Sequence, residues 1–142
     1  FIAYPRDSIP QYAIPQTPYP AGLTFDDALL AKGDAANGAK LAAGIGTCSG
    51  CHTVKGNPAM AFGIVGPNLT HIASRSTIGA GLYPNDAQHL ARWIKNARLM
   101  KPKILMPTLG VGQYDPILNT TTKTGLTDQQ IADIVAYLQT LK

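Results

Sequence analysis

The sequence Thr47-Cys48-Ser49-Gly50-Cys51-His52 decides how the rest of the chain can be interpreted. Two cysteines three positions apart, followed directly by a histidine, form the attachment pattern of c-type haem. One turn of backbone presents both thiols to the two vinyl groups on one edge of the porphyrin, and the adjacent imidazole reaches the iron as its proximal ligand. The pattern therefore predicts one covalent haem c, with Cys48 and Cys51 forming thioethers and His52 binding the iron.

Other functions of a Cys-x-x-Cys pair fit this sequence less well. A zinc site needs two more cysteine or histidine ligands at short spacing, and the chain contains no cysteines beyond these two. A thioredoxin-like dithiol lies between a buried strand and a helix, whereas residues 34–46 are rich in Ala and Gly without a β-branched run. A disulfide between cysteines so close in sequence closes too small a loop to stabilise a fold appreciably. Haem attachment therefore remains the prediction.

The length and charge of the chain limit the remaining classes of function. Its 142 residues suffice for one domain with a modest core. The net charge of +4 is mild, the propionates of a haem would lower it further, and no nucleic-acid-binding motif is present, so we predict no nucleic-acid partner. The longest apolar stretch, residues 59–65, is far too short to span a bilayer, which predicts no transmembrane segment in this chain.

The expected location follows from the chemistry of the motif. In bacteria, haem is attached covalently outside the cytoplasm, which predicts the periplasmic or extracytoplasmic face of the membrane. The chain opens with Phe1 rather than Met, so this expectation leaves open a membrane anchor in a preceding N-terminal segment.

The first 32 residues are predicted to form a Pro-rich N-terminal arm before a domain at residues 33–142. Proline fixes φ and lacks a backbone N–H, so the prolines of residues 1–22 exclude a helix or a central strand there and favour extended chain. Residues 25–32 are expected to form a short helical turn after Thr24 as its N-cap. Aromatic and isoleucine side chains accompany the prolines, and solvated linkers are usually poor in such residues. We therefore expect an ordered arm on the domain surface rather than a disordered linker. The prolines are Pro5, Pro10, Pro15, Pro18 and Pro20.

The first helix of the domain is predicted from its cap. Asp34 is expected to cap a helix that runs to about Ala43. Gly38 lies inside this segment, where glycine costs roughly 1 kcal/mol against alanine. Its presence therefore predicts that another helix approaches closely at this position.

Two further helices are predicted from caps followed by apolar residues at helical spacing. Asn85 or Asp86 is expected to cap a helix that runs to about Leu99. The last helix begins at a capping box, in which Thr127 and Gln130 satisfy each other's exposed backbone N–H groups.

Further pieces of sequence accompany the Cys-x-x-Cys-His motif in an order typical of one family. They are Gly33-Asp34 at the start of the first helix, Gly66-Pro67-Asn68-Leu69, Met106-Pro107 and the final helix. On these pieces the chain resembles the class I c-type cytochromes over residues 33–142. The resemblance implies an all-α cytochrome c fold, with about four helices around one covalently bound haem. The irregular N-terminal arm and a long loop or short hairpin after the distal Met would be additions to it.

The resemblance also implies roles for residues around the haem. The Pro67 carbonyl would accept the second ring proton of His52, which fixes the tautomer of an iron ligand. Trp93 would pack against the haem, and its indole N–H would need a partner such as a propionate. Met106, just before Pro107, matches the distal Met-Pro of the family and would be the sixth ligand.

Other residues remain candidates for the sixth position. Met100 ends a helix on its apolar face, which favours a role in the core. Met60 lies in a loop too near the proximal side. His71 and His89 are also candidates, but histidines in such positions are more often surface or core residues than iron ligands. Met106 is therefore the predicted ligand.

A haem with histidine and methionine ligands favours electron transfer. A soft thioether raises the reduction potential and closes the iron against substrates. We therefore predict a one-electron carrier in a respiratory chain rather than an enzyme. The alternatives are a haem enzyme, a peroxidase or small-molecule oxidoreductase with a labile sixth ligand, and a gas-sensing module. An enzyme needs acid–base residues over the iron, and residues 101–106 provide few.

Positive charge near Met106 predicts an acidic docking surface on the partner. Five basic residues occur within residues 92–103, and no acidic residue lies among them. They are Arg92, Lys95, Arg98, Lys101 and Lys103. On a solvated face beside a redox centre, they would raise the rate at which an acidic surface associates. We expect the partner to be a membrane respiratory complex, such as a terminal oxidase or a quinol-oxidising complex. A free shuttle and a tethered domain both remain open.

Overall fold

The computed structural model describes residues 15–142 of the chain. Within this range three α-helices frame the domain: α1 (Ala35–Ala43), α2 (Ala87–Met100) and α3 (Asp128–Leu138). Short 3-10 helices lie between them and before them, and the longest, Asp27–Lys32, packs against α3. The mostly helical architecture is the one predicted from the sequence, with these four segments as its main helical elements.

Two short antiparallel hairpins complete the described part of the chain. β1 (Thr77–Ile78) pairs with β2 (Tyr83–Pro84), and β3 (Tyr114–Asp115) pairs with β4 (Thr120–Thr121). The second hairpin lies in the loop after Met106, where the sequence predicts a long loop or a short hairpin. The first was not predicted, because strands of two residues show too little alternation to be recognised.

Helices α1 and α3 cross at Gly38, where the two backbones touch. A Cβ at this position would overlap the carbonyl oxygen of Asp133, so a larger residue would force the helices apart. The buried Asp133 carboxylate accepts hydrogen bonds from the Asp34 backbone N–H at 2.9 Å and from the Asn37 amide at 2.7 Å. The predicted close approach at Gly38 is therefore present, and Asp133 ties it to the start of α1.

The predicted caps of α2 and α3 are also present. Asp86 begins α2, and its carboxylate accepts the His89 backbone N–H at 2.8 Å. At the start of α3, Thr127 accepts the Gln130 backbone N–H at 3.3 Å, while the Gln130 side chain accepts the Thr127 backbone N–H at 2.9 Å. The apolar faces of these helices then form most of the core. Its larger members include Leu90, Ile94, Met100, Ile131, Ile134, Val135 and Leu138.

Helix α2 is interrupted at Asn96, where the backbone is extended rather than helical (φ −154°, ψ 78°). The fully buried Asn96 side chain accepts the Leu99 backbone N–H at 3.1 Å. The adjacent Lys95 carbonyl accepts the Gly110 N–H at 2.9 Å. A side chain that replaces backbone partners in this way bends a helix, and here it joins the end of α2 to the segment that follows Met106.

The basic residues of α2 form ion pairs: Arg92 and Lys95 are buried, and Arg98 is half-buried. Three contacts of 2.7 Å join Arg92 to Asp27, Lys95 to Asp128, and Arg98 to Asp115. The prediction of a solvated basic face is therefore wrong for Arg92, Lys95 and Arg98. The physical reason is that the N-terminal segment, the start of α3 and the second hairpin each bring one carboxylate onto that face. An amphipathic pattern cannot show which elements cover the polar side of a helix.

The described part of the predicted arm lies on the domain. Leu23 and Phe25 are buried in the core, and the Arg92 guanidinium lies 4.0 Å from the centroid of the Tyr19 ring. These contacts fit an ordered arm for the described residues, and the part of the prediction that concerns residues 1–14 lies outside them. The division of the chain after residue 32 stays a prediction.

Candidate haem site

The Cys-x-x-Cys-His motif forms one tight turn. It contains the 3-10 helix Cys48–Gly50, and the backbone N–H groups of Cys51 and His52 both donate to the Cys48 carbonyl, at 3.1 and 2.7 Å. No disulfide joins the two cysteines, and burial raises the pKa of the Cys48 thiol to about 11. One turn therefore presents two thiols and an imidazole side by side, as covalent attachment and axial ligation of one haem require.

The imidazole of His52 is oriented by a carbonyl group. Its Nδ1 lies 2.7 Å from the carbonyl oxygen of Pro67, the contact implied by the family resemblance. A carbonyl only accepts, so Nδ1 carries the proton and Nε2 is the nitrogen left for iron. Such a partner fixes both the tautomer and the ring orientation of a histidine ligand.

Two glycines allow the chain to wrap closely around His52. A Cβ at Gly66 would overlap the imidazole ring, and a Cβ at Gly63 would overlap the backbone of Cys51 and His52. The Gly66 N–H donates to the Cys51 carbonyl at 2.8 Å, and the Thr53 hydroxyl donates to the Gly63 carbonyl at 2.7 Å. Sequence reasoning missed both as site residues. The available signal was their position in a loop that directly follows the motif.

All the predicted site residues meet at one cavity. Its volume is about 480 Å³, within the range typical of cofactor sites. The lining residues include Cys48, Cys51, His52, Pro67, Trp93 and Met106. The structure thus brings the attachment motif together with α2 and with the loop that follows α2.

The other methionines and histidines of the described residues lie away from this cavity. Met60 and Met100 belong to the core, with exposed fractions of 0% and 3%. His71 contacts the carbonyl of the C-terminal residue at 2.8 Å, and His89 contacts the carboxylate that caps α2, also at 2.8 Å. None of the four lines the cavity. Of the candidates considered for the sixth position, Met106 alone lines this cavity.

The turn between β1 and β2 forms another wall of the site. Gly79 has a φ of +66°, and a Cβ at this position would overlap the Trp93 ring. The Gly79 carbonyl accepts a hydrogen bond from Lys101 Nζ at 3.0 Å. This wall was also missed, although Gly79-Ala80-Gly81 between Ile78 and Leu82 is a turn signal. The proposed contact of the Trp93 indole with a propionate stays a prediction.

The chemistry of the lining fits a haem. Ile104, Leu105 and Pro107 provide apolar walls, while Lys101 and Lys103 supply cations for carboxylates such as propionates. Among the described lining residues there is no Asp, and His52 is the one imidazole. Elsewhere in residues 15–142, no group of three or more His, Cys or Asp could hold a separate metal ion. The donor set at this cavity is therefore that of a haem c site.

This fold and this donor set define a monohaem c-type cytochrome. The family model described as Cytochrome c matches residues 35–142, so the chain belongs to the cytochrome c family. Its cofactor is covalently bound haem c, and Cys48 and Cys51 have the spacing of the attachment motif.

A comparison of structures agrees with the fold. The chain is similar to a solved structure described as SoxXA from P. pantotrophus, with 24% sequence identity and a TM-score of 0.52. The match covers 78% of this chain and 82% of that chain. At this identity the likeness concerns the fold alone. No curated protein matches the chain significantly.

Proposed function

We propose that this cytochrome is a one-electron carrier whose haem iron is held between His52 and Met106. The observation that carries the proposal is the position of Met106. It lines the same cavity as the attachment motif, while the other methionines of the described residues do not. A thioether opposite an imidazole raises the potential of the iron and closes its sixth position.

The lining of the cavity supports a carrier over a haem enzyme. Peroxide or small-molecule chemistry needs an acid–base group above the iron. The residues that line the cavity beside Met106 are mainly apolar, and the two cations among them lie at Lys101 and Lys103. Lys101 already donates to the Gly79 carbonyl. The described lining therefore favours reversible electron transfer with little ligand rearrangement.

The test compares the same conservative substitution at two methionines. Met106→Leu keeps the volume but removes the sulfur, so it should lower the potential, abolish the weak red-region sulfur-to-iron band and open ferrous iron to carbon monoxide. Met100→Leu in the core is the matched control and should leave all three unchanged. If Met100→Leu has these effects and Met106→Leu is silent, the ligand assignment is wrong. Rapid, tight binding of carbon monoxide by the unaltered protein would instead favour the haem enzyme.

We further propose a role in a respiratory chain at the extracytoplasmic face of the membrane, with a membrane respiratory complex as the partner. Covalent haem attachment supports the compartment. No helix among residues 15–142 is both long and apolar enough to cross a membrane. The surface around the cavity supports a docking role, because the apolar side chains of Val65 and Leu105 lie at the cavity together with the charge of Lys103. Oxidation of the reduced protein by membranes that contain a terminal oxidase would test the partner, with oxidase-free membranes as the control.

A further inference from the structure

We propose that Asn96 and Arg98, at the kinked end of α2, are positioning residues that hold the distal segment (residues 101–109) so that the Met106 sulfur stays at the iron. The inference deepens the proposed function and rests on ligation by Met106. Neither residue lines the cavity among the described residues, so both would act through the backbone and side chains that flank the ligand.

Arg98 holds the N-terminal flank of Met106. Its Nη2 donates to the carbonyl of Leu105, the residue immediately before the ligand, at 3.3 Å. Its Nη1 donates to the buried Asp115 carboxylate at 2.7 Å. One guanidinium thus joins the distal segment to the second hairpin, and its planar shape lets it serve both partners at once.

Asn96 holds the C-terminal flank. Its Oδ1 accepts a hydrogen bond from the hydroxyl of Thr108, two residues after the ligand, at 3.2 Å. Its Nδ2 donates to the Tyr114 carbonyl at 2.8 Å. Asn96 is fully buried and Thr108 is 8% exposed, so water does not readily replace these bonds. The departure of α2 from helical geometry occurs at Asn96 itself.

The distal segment needs such support because it has no regular secondary structure. Residues 101–109 contain no helix and no strand. Lys103 has a left-handed backbone, with a φ of +67°, an uncommon conformation for a residue with a side chain. A loop of this kind would move readily, whereas a ligand–iron bond requires the sulfur to stay within a narrow range of positions.

Through the same contacts, the hairpin that follows Met106 helps to hold the distal segment. Asp115 accepts the backbone N–H groups of Ile117 and Leu118 at 2.9 and 3.0 Å, which fixes the hairpin turn. Although burial alone would raise the pKa of Asp115, these bonds and those from Arg98 and Thr108 outweigh it and lower the pKa to about 2. The carboxylate is therefore charged at neutral pH. The hairpin therefore holds Arg98 in place through Asp115, and Arg98 in turn holds the distal segment through the Leu105 carbonyl.

The experiment compares two arginines of α2 with similar ion pairs. Arg92 and Arg98 each bind a carboxylate at 2.7 Å, but Arg92 pairs with Asp27 in the N-terminal arm. Arg98→Lys keeps the charge and loses the double bridge, and Arg92→Lys is the matched control. The readout is the rate at which imidazole displaces the sulfur ligand from ferric holoprotein, followed by loss of the sulfur-to-iron band. We expect Arg98→Lys to accelerate displacement by roughly tenfold or more, and Arg92→Lys to change it by less than about twofold.

A second variant keeps the test decisive if Arg98→Lys does not yield holoprotein. Thr108→Val is nearly isosteric and removes the hydroxyl that reaches Asn96 and also hydrogen-bonds Asp115, so it should accelerate displacement by roughly three- to tenfold. Equal acceleration by the two arginine variants would overturn the proposal, because the effect would then be general destabilisation. Unchanged rates in both Arg98→Lys and Thr108→Val would also overturn it, while leaving ligation by Met106 intact. If Met106→Leu retains the band, the proposed function fails and the positioning role fails with it.

Discussion

The two sides of the haem site are built by different means. On the proximal side, residues 47–67 enclose His52 with their own backbone, through the Pro67 carbonyl and the close approach of Gly63 and Gly66. On the distal side, the segment that carries Met106 is held by side chains that reach it from α2 and by a hairpin further along the chain. The proximal arrangement depends on residues that are close together in the sequence. The distal arrangement depends on contacts between residues that are far apart in the sequence.

The difference predicts how each side responds to substitution. The proximal side should tolerate changes of exposed side chains but fail where a glycine gains a Cβ. The distal side should respond to polar substitutions that leave the core unchanged. The experiments below test this contrast, beginning with the largest expected effect.

Loss of one thioether should have the largest effect, because it removes a covalent bond of the proximal side. In the intact protein, one haem should remain attached after denaturation in acid and organic solvent, detected as added mass on the chain. Cys48→Ala should leave the haem linked only through Cys51, or prevent holoprotein from forming. Extraction of the haem from the unaltered protein would contradict covalent attachment altogether.

The proximal backbone is tested by adding one methyl group. In Gly66→Ala the new Cβ overlaps the His52 ring, so the imidazole or the loop must shift. Overpacking of this kind typically costs about 1–3 kcal/mol of the free energy of unfolding. Gly50→Ala is the matched control, because a Cβ there meets nothing within 4 Å. Chemical denaturation of the two holoproteins measures the difference, and equal stabilities would show that the proximal loop is more adaptable than its contacts suggest.

The distal side should be sensitive to acid through Asp115. Its pKa is about 2 in the folded protein against 3.8 ordinarily, so the folded state binds its proton less readily than the unfolded state. The resulting stabilisation is complete above about pH 4 and is lost as the pH falls through about 2, with a magnitude of roughly 2 kcal/mol. Unfolding measured between pH 5 and pH 2 should therefore show a steeper loss of stability in the unaltered protein than in Asp115→Asn. If stability falls equally with pH in the two proteins, Asp115 does not contribute to the acid sensitivity of the fold.

The same contrast explains what the sequence could predict. The attachment motif, the cap at Asp34, the capping box at Thr127 and the close approach at Gly38 all follow from neighbouring residues and local chemistry. The position of Met106 at the cavity could be anticipated because Met-Pro follows the second long helix in the family order. These features place the proximal side and the helices that frame it.

The missed features depend on contacts that no local pattern encodes. Asn96 lies in a strongly helical pattern, and its role in the kink depends on Thr108 and on the hairpin. Arg98 has the spacing of an exposed residue, yet Asp115 covers it from 17 residues away. The polar face of an amphipathic helix is exposed only if no other element carries a complementary charge to it.

The smallest effect is expected at the docking surface, where burial has removed most of the predicted positive charge. Lys103 remains exposed beside the cavity, while Arg92, Lys95 and Arg98 are paired internally. Exposed charges are screened over about 8 Å at physiological salt, so electron transfer to an acidic partner should slow as ionic strength rises. Lys103→Glu reverses one charge and should slow the second-order rate by about two- to fivefold at low salt.

The control for this charge reversal is Lys40→Glu, which changes the net charge equally on the exposed side of α1, away from the cavity lining. A local docking effect predicts that the rate falls only in the Lys103 variant and that the two variants converge at high salt. Equal slowing in both would indicate an effect of net charge. A rate that is flat from low to high salt would mean that docking depends on apolar side chains around the cavity and that the remaining lysines contribute only to solubility.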